Sequence, residues 1–166
     1  MSRTSNSSRA VRVVAASGFL AVILYAIFAA LQIFFVNPRA AVPGASLDDI
    51  YATMARAGES FVAGFPLAIL ATGVALALLL LVLIRRNPGT PPWIAAAGYL
   101  VMIAFGAPAL FIASFVPSMS LADTYGISGG DHSGWSGALY LVSACSFITC
   151  AILTLLAVRR PAPQPA

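Results

Sequence analysis

Four uninterrupted apolar runs, at about residues 13–36, 61–84, 93–116 and 135–158, contain no Asp, Glu, Lys, Arg or His. Each exceeds the roughly 20 residues that a bilayer hydrocarbon core asks of a helix. Lipid offers no water to peptide groups, so each run must close its own backbone hydrogen bonds, which makes all four helices. Only 8% of the 166 residues are charged and 60% are hydrophobic, against about 25% charged in soluble domains. The expected fold is an all-α integral membrane protein of four transmembrane helices.

The charges sort themselves by loop. Arg3, Arg9 and Arg12 precede the first run, Arg85 and Arg86 follow the second, and Arg159 and Arg160 follow the fourth. The five acids, Asp48, Asp49, Glu59, Asp123 and Asp131, lie in the other two loops with Arg39 and Arg56. The positive-inside rule then puts both termini in the cytoplasm and the acidic loops outside. The net charge of +4 and the pI of 9.6 are thus a topology signal that implies no nucleic-acid partner. The inner arginines suit the anionic headgroups of the lipid bilayer. The first run, about 24 residues, is too long for a signal-peptide core of 7–15 and reads as an uncleaved signal-anchor. Basic residues are all arginine and alanine is abundant, a bias that fits a GC-rich bacterial genome and hence a bacterial plasma membrane.

The chain divides into a disordered cytoplasmic tail (1–12), a first hairpin (13–86, outer loop 37–60), a second hairpin (87–160, outer loop 117–134) and a Pro-rich tail (161–166). Asn37-Pro38 is expected to end the first span. In loop one, Ser46 precedes Asp49 at capping-box spacing. Leu47, Ile50, Met54 and Ala57 then recur at helical spacing, predicting a short amphipathic helix on the outer surface. Pro108, preceded by Gly106, predicts a kink in span three. Gly64, Ala68 and Thr72 form a small-residue stripe on span two. Trp93 and Trp135 mark membrane interfaces.

An internal repeat links the hairpins. Ser46-Leu47-Asp48-Asp49-Ile50-Tyr51 matches Ser120-Leu121-Ala122-Asp123-Thr124-Tyr125 at an offset of 74, and the same offset carries Arg85-Arg86 onto Arg159-Arg160 and Phe61 onto Trp135. Spans one and three align at an offset of 80 through Gly18/Gly98, Phe35/Phe115 and Val36/Val116. Each hairpin would enter and leave on the inner side, so the halves are expected to be parallel repeats.

Candidate chemistry is sparse. Asp49, Tyr51, Asp123 and Tyr125 could meet on the outer face around a cation or polar ligand, although Ser-x-x-Asp also simply caps a helix and tyrosine anchors at headgroups. Asp131 and His132, with Glu59 and Asp123, offer imidazole and carboxylate suited to zinc or copper, but no second His and no ligand spacing accompany them. Adjacent Asp131 and His132 do not make a hydrolase relay easily. Cys145 and Cys150 point about 140° apart on one helix and cannot pair. That argues against a disulfide-linked oxidoreductase and leaves both as small buried hydrophobes. No span carries an ionisable group to couple a pump or a histidine to hold haem. Ser136, Tyr140, Ser143, Cys150 and Thr154 share one face of span four, where hydroxyls bond within or between helices. No catalytic residue, metal or cofactor is assigned. The expected role is non-catalytic: an accessory or assembly subunit, or a homo-oligomer, working through helix packing and outer loops. A transporter or channel with a pseudo-symmetric outer vestibule is the alternative, and a metal-dependent enzyme around His132 the third reading.

Overall fold

A computed structural model describes residues 2–59, 62–87 and 89–159. Phe61, Pro88, Arg160 and the Pro-rich tail lie outside them. The described elements are all helical, and four spans are long and apolar enough to cross a membrane.

The first span is longer than its apolar run. Helix α1 (Ser2–Leu31) passes into a π-helical turn (Gln32–Val36) and then α2 (Asn37–Ala41). Residues expected to form an irregular N-terminal tail therefore belong to α1, and Val11 is already buried in the core. Pro38 does not stop the helix. Its ring would clash with the Phe34 carbonyl in a regular α-helix, and it has no N–H to donate there. The backbone widens instead: the Asn37 N–H reaches back five residues to the Gln32 carbonyl, a π-bulge that absorbs the proline. Asn37 and Pro38 are both buried.

A short helix, α3 (Leu47–Arg56), follows the turn at Gly44. Ser46 is its N-cap, its Oγ accepting from the Asp49 N–H at 3.1 Å and donating to Asp49 Oδ2 at 2.7 Å. Helix α4 (Gly64–Arg86) is the second span, with Pro66 buried near its start. The third span is two helices, α5 (Pro92–Ala104) and α6 (Gly106–Tyr125), joined at Phe105. Pro108 denies the Ala104 carbonyl its α-helical donor, and the chain breaks one residue later, at Phe105, with ψ near −6°. This is the break that Pro108 predicts. The fourth span is α7 (Trp135–Val158).

The third span also outruns its expectation. It continues through a buried Pro117 to Tyr125 and stops at Gly126, whose left-handed φ of 65° is open to glycine at no steric cost. The following loop is thus 126–134, shorter than the expected 117–134. The two repeat motifs consequently have different surroundings. Ser46 caps a helix start, whereas Ser120 is buried inside α6 and caps nothing. The identical letters form a cap only where the chain enters a helix from extended backbone.

Helix α1 packs along α4 and α5, α5 also along α7, and α6 against α4 and α7. The seams are built from small residues: Ala29, Ala77, Ala95 and Ala113 are wholly buried, which lets helices approach closely where lipid supplies no hydrophobic drive. Glycine goes further, most closely at two points between the first and third spans. The Tyr99 ring sits 2.4 Å from where a Gly18 Cβ would be, and the Tyr25 ring 2.6 Å from a Gly106 Cβ. At one end, Ile50 and Met54 of α3 are fully buried against Leu121 of α6, with Tyr51 and Tyr125 alongside. This is called the α3 end below.

Candidate functional site

All seven sequence-derived candidates sit at the α3 end, on α3, the segment after it, the last turn of α6, and the 126–134 loop. Their placement begins with backbone needs. Pro38 leaves the Phe34 carbonyl without its α-helical donor, and the Tyr51 hydroxyl donates to that oxygen. The Tyr125 hydroxyl donates to the Ile50 carbonyl at 3.4 Å. The paired tyrosines are therefore cross-braces: one ties α3 to the first span, the other ties α6 to α3. They bring the two repeat motifs into contact through Ile50, Leu121 and Tyr125. Burial of the Tyr51 phenol pushes its pKa above the usual tyrosine value, because ionisation there would forfeit solvation.

The acids do not join this contact. Asp49 is engaged with Ser46, and Asp123 and Asp131 are exposed. Glu59 is half-buried, its N–H bonded to the Met54 carbonyl. Among the described residues no three His, Cys, Asp or Glu side chains gather closely enough to hold a metal ion.

His132 is held in place by its main chain. Its N–H donates to Asn37 Oδ1 at 2.7 Å, and the neighbouring Ser133 hydroxyl donates to Gln32 Oε1 at 2.7 Å. Two amides of the first span thereby pin the loop between the third and fourth spans. The imidazole Nε2 lies 2.9 Å from the Ser128 carbonyl, an acceptor, so in the neutral ring the proton sits on Nε2 and Nδ1 is the lone-pair nitrogen. Gln32 is the one amide within the first apolar run, and its partner is in a loop rather than on a neighbouring helix. Asn37 and Ser133 were not singled out from sequence. The clue was present: two amides five residues apart at the end of an apolar run need partners once the helix continues past Pro38.

Further down the bundle, the Ser143 hydroxyl of α7 donates to the Tyr25 hydroxyl of α1 at 3.0 Å. Tyr25 also borders a cavity of about 700 Å³ beside the α5–α6 break, lined chiefly by apolar residues including Phe65, Leu76, Phe105 and Pro108. On the polar face of α7, Ser136 and Ser143 are buried, Tyr140 and Cys150 half-buried and Thr154 exposed. The cysteines are unpaired. Cys150 is half-buried, whereas Cys145 lies on an exposed face rather than in the interior as expected.

The polar groups at the α3 end are thus largely engaged in holding loops to helices. The chain matches no known family model, no curated protein and no solved structure.

Proposed function

We propose that this chain is a non-catalytic multi-pass protein of a bacterial plasma membrane, an accessory subunit or homo-oligomer that works by lateral helix packing beneath a braced outer cap. The observation that carries this reading is the exposed face of α4. Gly64, Ala68 and Thr72 all lie on its surface, and a Cβ added at Gly64 or at nearby Gly73 would meet nothing within 4 Å. The Thr72 hydroxyl donates to the Ala68 carbonyl in its own helix, so the stripe asks for no polar partner. Such a surface suits close approach of a helix from another chain. The distribution of arginines supports cytoplasmic termini, with α3 and the 126–134 loop outside. In this reading the two hairpins are parallel repeats and α3 is the amphipathic cap of the outer face.

Crosslinking in native membranes tests the proposal. The expected result is a discrete adduct with a partner or a second copy, lost in Ala68→Trp while thermal stability holds. A monomer with no crosslinked neighbour would overturn it.

The contact between the two tyrosine motifs favours one second reading, a transporter or channel with its vestibule at the α3 end. It requires Asp49→Asn and Asp123→Asn to impair flux. A change in thermal stability alone would leave both as structural residues.

A further inference from the structure

The Tyr99 ring fixes the register of three helices. It lies on Gly18 of α1, and its hydroxyl donates to the Ala77 carbonyl of α4 at 3.3 Å. Gly18, Ala77 and Tyr99 therefore share one level of the bundle. From that level α1 runs back toward its N-terminus and α4 on toward its C-terminus, both to the same end, where Val11 and Ile84 are buried in one cluster with Ala95. Counting along the two helices then aligns their charges. Arg9 and Arg86 each lie nine residues beyond the shared level, about 14 Å at the helical rise per residue, with Arg12 and Arg85 just inside them. Four exposed arginines from two packed spans thus stand at one corner of the bundle. All five acidic side chains of the sequence lie at the opposite, α3 end. Like charges gathered without an acidic side chain among them repel one another, and an anion relieves that repulsion. The surroundings say which anion. Val13 beside Arg12 and Leu83 near Arg85 are exposed apolar side chains. Trp93, six residues before Tyr99 and so level with Arg12, is also exposed, and tryptophan marks the headgroup boundary. The guanidinium groups stand where lipid phosphates lie, beside an apolar wall fit for acyl chains.

We propose that this corner is a site for a lipid carrying two phosphates, one held by Arg9 and Arg12 of α1 and the other by Arg85 and Arg86 of α4. The acyl chains lie along Val13 and Leu83. The charges come as two pairs, on helix axes about 8–10 Å apart, and guanidinium groups recognise phosphate by paired hydrogen bonds. Two phosphates on one molecule serve both pairs, the second binding at the raised effective concentration that linkage confers. Basic pockets between spans suit diphosphate headgroups of this kind. The pairing across two spans is what the fold adds to a general preference for anionic headgroups. The site needs no second chain, so it stands independently of any lateral partner.

The test uses the full chain in nanodiscs holding cardiolipin, with two phosphates on one glycerol bridge, and phosphatidylglycerol, with one, at equal total phosphate. Lipid retained after mild detergent extraction is counted by native mass spectrometry. The wild type is expected to retain cardiolipin about five-fold over phosphatidylglycerol, the factor that roughly one engaged arginine supplies at a membrane surface. Arg9→Gln with Arg12→Gln, and Arg85→Gln with Arg86→Gln, are each expected to abolish the preference. Arg159→Gln removes a charge at the end of α7, which packs mainly along α5, and should keep it. Melting in discs without cardiolipin is expected to match the wild type in all three variants, because these arginines are exposed. Inorganic pyrophosphate at the same concentration as the lipid should displace nothing. Equal retention of both lipids by the wild type, the same loss of preference in Arg159→Gln, or displacement by pyrophosphate overturns the proposal.

Discussion

The ring of Tyr25 occupies the space that a side chain on Gly106 would fill, and its hydroxyl accepts from Ser143 on a third helix. A reciprocal contact sits nearer the N-terminus, where the Tyr99 ring of α5 lies on Gly18 of α1. Each span lends a tyrosine to the other's glycine. Gly18→Ala is expected to be the costlier change, because the crowded atoms include Tyr99 Cβ and Cγ, which move only with their backbone. Gly106→Ala can displace the ring tip, at the expense of the Ser143 bond. Overpacking of this kind costs about 1–3 kcal/mol. Gly73→Ala, with open space around it, should be neutral or slightly stabilising. Thermal unfolding in detergent ranks the three.

Tyr51→Phe removes the donor to the carbonyl that Pro38 cannot serve. The expected loss is about 1–2 kcal/mol. Pro38→Ala supplies an N–H to the same carbonyl and lets the π-turn relax, so it should blunt the effect of Tyr51→Phe. A double-mutant cycle by chemical unfolding measures the coupling. Additive losses would show that the two residues act independently.

The same phenol gives a pH signature. Burial raises the folded pKa above the ordinary value of 10.0. The neutral phenol is favoured in the fold, so its contribution is complete below pH 10. It is lost as pH rises from there through the folded pKa, because the unfolded chain ionises first. Stability of the wild type should therefore fall above pH 10 more steeply than that of Tyr51→Phe. Melting profiles between pH 8 and 11 check the difference.

Asn37→Leu takes away the acceptor for the His132 N–H. Local opening of the 126–134 loop should become easier while the spans stay protected, since this bond ties a loop to a helix end. Hydrogen exchange is expected to speed up at His132 and its neighbours, with α4 and α5 unchanged.

The spans were legible because lipid leaves a charge-free apolar run one structural option. The ends were less so. Pro38 reads locally as a stop, and the helix outlasts it through a π-turn and a hydroxyl supplied from 17 residues away, neither of which has a local sequence signal. Pro117 similarly reads as an end, yet it is buried within α6. That shift places Ser120 inside a helix and removes its capping role. At the candidate site the paired tyrosines stood out in sequence, but their acceptors are backbone carbonyls, which no letter marks. The acids looked clustered because they share loops. In space, Asp49 turns to its own cap while Asp123 and Asp131 face outward.

The pins on the 126–134 loop impose an order on biosynthesis. Gln32 and Asn37 are made early, and their partners follow 101 and 95 residues later. At translation rates of about 5–20 residues per second, the first span waits roughly 5–20 s with two amides uncommitted at its end. The nascent protein is thus latched by its last loop, and a chain cut short before His132 would carry those amides unlatched for its whole lifetime.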